Sequence, residues 1–146
     1  MDQRILSRYN TEQEARRYNS KFEKHWTERV SNWHERRLLR SLLGAVEAGG
    51  IALDAPCGCA RLAPLVAERF PRLVEGDWSF GMLQQARENL TGIGVPAVGF
   101  VRLTALSLPF PDRAFDAVLS VPLSHHIRKP EERLTYVREV LRGARR

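Results

Sequence analysis

From Ile51 onward the chain alternates short apolar runs with longer amphipathic stretches, and this alternation restricts the fold more than any other feature. The apolar runs mark candidate strands at Ile51–Ala55, Arg72–Gly76, Ala97–Leu103 and Phe115–Ser120. Between and after them the spacing predicts helices at Ala60–Arg69, Phe80–Leu90 and Pro130–Arg142. Strand followed by helix, repeated, is the pattern of parallel strands joined by crossovers, because a tight hairpin cannot return the chain in the same direction. The expected architecture is therefore α/β and Rossmann-like, a mostly parallel sheet with flanking helices. The Gly/Pro-rich TGIGVPA segment serves as a helix-to-strand connector, and no internal repeat or low-complexity tract interrupts the pattern.

Residues 1–48 differ. They are polar, free of proline and rich in helix formers, with Leu38, Leu39, Leu42, Leu43 and Val46 at helical spacing. A helical segment with one apolar stripe is expected, packing on the core, with Trp26 and Trp33 helping to fix it to the sheet. Gly49 and Gly50 end it. The chain thus divides into a helical segment, 1–48, and an α/β core, 49–146.

With 146 residues, 43% of them hydrophobic, the chain is large enough for one core that buries about 70% of the unfolded surface. No apolar run approaches the roughly 18 residues of a membrane span, and the opening MDQRILSRYNTEQEARR is charged where a signal peptide is apolar, so a cytoplasmic protein without membrane contact is expected. Cys57 and Cys59 have no other cysteine to pair with, which suits a reducing compartment, and a lone C-x-C pair is a poor metal signature, so no metal is expected. The net charge of +6 comes from 23 Lys and Arg against 17 Asp and Glu. The arginines are spread along the chain without an aromatic-interleaved stripe, so they read as a solvated basic surface, not a nucleic-acid groove.

In such a sheet ligands bind at the carboxyl ends of the strands, where the loop after the first strand meets a helix N-terminus. That first unit reads IALDAPCGCARLAPLVAERF. Gly58 permits close backbone approach. Pro56 and Arg61 stand where a dinucleotide G-x-G-x-x-G pattern needs glycine, and a carboxylate such as Asp54 would repel a pyrophosphate while suiting an ammonium or sulfonium. Asp77, 23 residues later at the end of the second strand, stands where a carboxylate accepts hydrogen bonds from ribose hydroxyls. One acid for a cation and one for a ribose describe a nucleoside with a positive arm. Ser79 is expected to cap the following helix, and Asp112 in PFPDR is expected to be a turn former.

The motifs DAPCGCARLAP, GDWSFGMLQQAREN, ALSLPFPDRAFDAVLS and LSHHI followed by a helix ending VLRG resemble, in order and spacing, those of class I S-adenosylmethionine-dependent methyltransferases, particularly the small-molecule, type 11-like group. The resemblance covers residues 49–146. It implies S-adenosyl-L-methionine as cofactor, a small-molecule methyl acceptor and a strand order of 3-2-1-4. By the same resemblance Asp54, Pro56 and Gly58 fall in the loop that holds the methionine part, and Asp77 is the ribose acid with Trp78 and Met82 beside it. Thr104 and Ala105 lie on the adenine loop, Ser120 lies under the methyl group, His125 is the candidate base, and Tyr18 is an aromatic laid over the cofactor. Asp116 begins a strand in similar proteins for structural reasons. The chain departs from the family pattern at Pro56 and Ala60, which replace the first and third glycines of the loop, and at Thr104, where an aspartate is usual. Ala60, having a Cβ, is expected to keep a negative φ.

Similar proteins continue into three further strands, so this chain is expected to be truncated after its fourth strand, or to have that apolar edge, FDAVLSV, capped by another chain or a second copy. Two alternatives accompany methyl transfer to a small molecule: a noncatalytic or truncated cofactor-binding remnant, and an RNA methyltransferase docking through basic N-terminal helices.

Overall fold

The structure is a computed structural model and describes Glu14 and residues 26–95, 97–121 and 127–145. Its elements are α1 (Trp26–Gly44), β1 (Ile51–Asp54), α2 (Ala63–Ala67), β2 (Arg72–Asp77), α3 (Phe80–Gly92), β3 (Gly99–Arg102), β4 (Ala117–Leu119) and α4 (Pro130–Gly143). The four strands form one sheet in the order β3-β2-β1-β4, and every pairing is parallel. The parallel direction is what the alternation of runs implies, and the order is what the resemblance implies. Among the described residues no helix is long and apolar enough to cross a membrane.

Side-chain alternation along each strand divides the core between the two faces of the sheet. Ala52 and Leu73 join a cluster with Leu39 and Leu43 of α1, Leu65 and Val66 of α2, Phe70, and Leu83, Ala86 and Leu90 of α3. Their neighbours Leu53 and Val74 point the other way, into a cluster with Leu103, Leu108 and Phe115. On that second face Gly143 of α4 lies against Leu108 and Val118. Helix α4 begins with Pro130 and carries Glu131 and Glu132 in its first turn and Arg142 in its last, charges that complement the helix dipole. Arg142 fastens the loop before β4: its guanidinium donates to the carbonyls of Leu108 (3.0 Å) and Phe110 (2.8 Å), to Asp112 (2.9 Å) and to Glu139 (2.9 Å).

The N-terminal stripe is narrower than its spacing predicts. Helix α1 stops at Gly44, and of the five apolar positions only Leu39 and Leu43 are buried, while Leu38, Leu42 and Val46 are exposed. Trp26 and Trp33 are 74% and 59% exposed, so they do not fasten this helix to the sheet. The reason is angular: at 100° per residue they lie well around the helix from Leu39 and Leu43, and the Arg37 guanidinium sits 5.6 Å from the Trp33 ring. Leu39 and Leu43 seat α1 on the core, and polar contacts with the site loop add to them. Arg61 donates to Asn32 and Glu35, and Arg36 donates to the Arg61 carbonyl at 3.0 Å.

Two turns need special backbone geometry. Gly50 has φ +72°, and a Cβ there would stand 1.9 Å from Oδ2 of Asp116, the atom that accepts the Ile51 amide at 2.8 Å. Asp116 thus opens β4 structurally, as expected, with Arg145 donating to its other oxygen at 2.6 Å. The second turn follows β1. Its Ala55–Pro56 peptide is cis, and Ala60 adopts φ +58°, contrary to the expectation of a negative φ. The loop forces this: the Ala60 amide bonds back to the Cys57 carbonyl at 3.0 Å, and the chain turns on through residues 61–62 before α2 starts at Ala63. The helix expected from Ala60 to Arg69 is therefore shorter at both ends.

At the outer edge of the sheet β4 pairs with β1 alone along Ala117–Leu119 among the described residues. Just before it, Phe115 is bridged by the chain leaving α4: Phe115 donates to the Gly143 carbonyl at 3.0 Å and accepts from the Arg145 amide at 2.8 Å. The base of the edge is covered from within.

Both special turns can be tested by denaturant unfolding. Gly50→Ala is expected to cost at least about 2 kcal/mol more than Gly49→Ala, because Gly49 also has positive φ but open space, whereas the Gly50 change also displaces the Asp116 hydrogen bond. Ala60→Gly is expected to stabilise the protein by about 0.5–1 kcal/mol, the left-handed penalty less the added chain entropy of glycine.

Candidate functional site

The carboxyl ends of β1 and β2 bring three acids together. Asp54 ends β1, Asp77 ends β2, and Glu75 is the register partner of Asp54. Strand alternation sets all three on the sheet face of Ala52 and Leu73, and they are 3%, 0% and 8% exposed, in the order Asp54, Glu75, Asp77. Burial pushes all three carboxyls upward. Asp54 rises well above its ordinary range by desolvation first and by the charges of Glu75 and Asp77 second, against a smaller opposing pull from Arg61. Glu75 is pushed up to about 8, again chiefly by burial.

Asp77 is the best solvated of the three by protein groups. Its Oδ2 accepts the Gly58 amide at 2.9 Å and its Oδ1 accepts the Ser79 amide at 2.8 Å. These amides oppose the upward push of burial on its pKa. A carboxylate has about four acceptor positions, so each oxygen retains capacity for a further donor such as a ribose hydroxyl. The loop between the two acids is held from below by the Cys57 amide, which donates to the Gly76 carbonyl at 2.8 Å. At its crest Gly58 has φ +55° and no atom within 4 Å of where a Cβ would stand, so the space above the loop is open to a ligand. Gly76 has the opposite environment: a Cβ there would meet Leu103 at 2.6 Å. Cys57 and Cys59 are buried free thiols, both pushed up by desolvation, and they act as small core residues.

Ser79 caps α3 as its sequence position implies, its Oγ accepting from Met82 N at 3.2 Å, and Met82 itself is buried. Trp78 is 37% exposed beside Asp77. Arg102, the register partner of Asp77 on β3, donates to the Trp78 carbonyl at 3.0 Å and places its guanidinium 5.1 Å from the indole centre. Thr104 and Ala105 follow at the same end of β3, where the Thr104 hydroxyl accepts the Leu106 amide at 3.2 Å. Ser120, just past β4, donates to the Ala55 carbonyl and accepts from the Tyr136 hydroxyl at 2.7 Å, so its oxygen ties β4 and α4 to the loop after β1. Pro56 is half-buried in that loop. Asp54, Pro56, Gly58, Asp77, Trp78, Met82, Thr104, Ala105 and Ser120 thus gather at the carboxyl ends of the strands. Tyr18 and His125 lie outside the described residues.

Three residues of this region escape a reading of the sequence. Arg102 is one of many scattered arginines, and only the strand register singles it out. Tyr136 sits in an ordinary helical pattern. Glu75 does carry a signal: an acid inside an apolar strand, two residues before another acid, belongs on the same buried face.

A methyltransferase-domain family model matches residues 52–145. The chain is 36% identical over 91 residues to the demethylmenaquinone methyltransferase of Thermobifida fusca, covering 61% of this chain and 39% of that protein. It is 35% identical over 101 residues to a ubiquinone/menaquinone biosynthesis C-methyltransferase of Xanthomonas oryzae, covering 66% and 39%. It spans about two fifths of the length of these curated relatives. A solved S-adenosylmethionine-dependent methyltransferase from Clostridium acetobutylicum superposes with a TM-score of 0.70 over 89% of this chain and 53% of that one, and at 16% identity this likeness shows the fold. The family match spans the sheet, the loop of Asp54 and Gly58, and the acid of β2, and by it the chain belongs to the class I S-adenosylmethionine-dependent methyltransferases.

Proposed function

We propose that this chain binds S-adenosylmethionine at the carboxyl ends of β1, β2 and β3 and serves transfer of its methyl group to a small-molecule acceptor. The observation that carries the reading is Asp77, a buried carboxylate that holds the Gly58 and Ser79 amides and keeps acceptor capacity beside an open loop crest. In this reading Asp77 accepts from the ribose hydroxyls, and Trp78 with Met82 flanks the nucleoside. Thr104 and Ala105 border the adenine. Asp54, buried at the end of β1, faces the positive arm. Gly58 and Pro56 shape the loop around the methionine part. The cofactor, when bound, supplies a methyl group already activated by its sulfonium. The chain then needs only to orient the acceptor and exclude water, which accords with the lack of a nucleophile triad among the described site residues. Ser120 holds the loop in place through the Ala55 carbonyl, and His125 is our candidate to take a proton from an oxygen or nitrogen acceptor. Tyr18 is assigned to the cofactor's outer side.

The name of the Thermobifida relative makes demethylmenaquinone the first acceptor to assay. We assign the chain to a reducing, cytoplasmic setting in which the thiols of Cys57 and Cys59 persist, and we assign the free stretch of the β4 edge to a capping strand from another chain or a second copy.

Isothermal titration with S-adenosylmethionine tests the site. Asp77→Ala is expected to weaken binding at least tenfold, and equal binding by both proteins removes the assignment. Thr104→Asp is expected to strengthen binding about three- to tenfold, since an aspartate can keep the bond to Leu106 N and present a charged acceptor to the adenine amino group. Unchanged affinity would take Thr104 off the adenine loop.

A further inference from the structure

The least explained side chain in the molecule is Glu75. It is fully buried, and among the described residues neither of its carboxylate oxygens has a hydrogen-bond partner. In register it lies between Asp54 on β1 and Phe100 on β3. The Cys57 thiol from the loop above opposes the upward push of burial on its pKa, without a donor among the described residues meeting hydrogen-bond geometry at either oxygen. A buried carboxyl left in this state is costly, and an apolar residue would fill the strand better. Among the described residues the charged groups around it are few. Asp54 and Asp77 are acidic, Arg61 is drawn off by Asn32 and Glu35 of α1, and the Arg87 guanidinium stands 5.2 Å from the ring of Phe100. The buried residues of α2 and α3 carry no titratable group.

We infer that Glu75 is a specificity-determining residue that, by sharing a proton with Asp54 beneath the loop, makes the site prefer a cationic sulfonium ligand over its neutral thioether counterpart. The inference rests on the cofactor reading above. Two carboxyls side by side in a buried site do not both ionise unless a positive charge arrives, since each raises the other's pKa. S-adenosylmethionine carries an ammonium, a carboxylate and a sulfonium, for a net charge of +1. S-adenosylhomocysteine has lost the sulfonium charge and is neutral overall. The first draws the shared proton off; the second leaves it in place. The product of methyl transfer is then the weaker ligand, and the difference grows as the pair is titrated. The sign follows from linkage: a ligand that favours the ionised pair lowers its pKa, so its affinity rises with pH through the pair's titration and its binding releases protons. Glu75, held near 8, places this change around neutral to mildly alkaline pH.

Calorimetric titration of the full chain with both ligands, at about pH 6.5 and about pH 9, gives the test. A shift of one pKa unit on binding corresponds to a tenfold change in affinity. The affinity ratio of S-adenosylmethionine over S-adenosylhomocysteine is expected to rise about tenfold between the two pH values in the native protein and to stay constant in Glu75→Gln. A ratio that moves equally in both proteins, or not at all in the native one, overturns the inference. If Glu75→Gln does not fold, the native protein still decides: titrations in buffers of different ionisation heat are expected to show more proton release with the sulfonium than with the thioether, and equal release overturns the inference. Failure of both ligands to bind at either pH removes the cofactor reading and this inference together, whereas binding of both without a charge preference removes this inference alone.

Discussion

The site depends on one carboxylate holding two amides that belong to different parts of the chain. Asp77 takes the Gly58 amide from the loop after β1 and the Ser79 amide from the start of α3. Without it two backbone donors near the crest of the site would lose their acceptor, at about 1–3 kcal/mol each where water cannot replace it. It also sets the geometry, since the crest of the glycine loop is positioned relative to β2 by this bond and by the Cys57 amide on the Gly76 carbonyl. The absence of a side chain at Gly76 lets Leu103 and Ala55 close over the strand at that point. The residue proposed to recognise a ribose is therefore also the residue that builds the place where the ribose would lie.

Electrostatics sharpen this arrangement. The protein as a whole carries +6, yet its proposed ligand site concentrates buried acids at two neighbouring strand ends. A net positive surface does not neutralise a buried cluster at short range, because salt and water screen distant charges while the local desolvation remains. Several of the described arginines are engaged in fold-making contacts. Arg142 fastens the loop before β4, Arg145 meets Asp116, and Arg61 joins α1 to the site loop.

Much of this was legible in the sequence, for reasons that can be named. The alternation of runs fixed a parallel sheet because few other arrangements accommodate it, and the sheet order followed from the ordered motifs. Ser79 was readable as a cap and Asp116 as structural because single polar residues at element boundaries have few other uses. The N-terminal layer was misread where spacing alone was used. Leu38 and Leu42 are neighbours of the buried Leu39 and Leu43, and Trp26 and Trp33 lie further around the helix, but spacing alone does not say which side of the helix meets a partner. Ala60 was misread for a different reason: its positive φ is imposed by the turn around it, and local preference yields to a loop closed by its own hydrogen bonds and by Asp77. Glu75 and Arg102 matter only through register, a relation between strands that no single stretch of sequence displays.

The grip of α1 on Arg61 has a mechanical consequence. Residue 61 stands three positions beyond the crest glycine and is held by Asn32 and Glu35 through its side chain and by Arg36 through its carbonyl. The same helix seats Leu39 and Leu43 in the cluster that holds Ala52 and Leu73, so helix, sheet and loop share one set of anchors, and the far end of the site loop is set by a segment that precedes the whole α/β core.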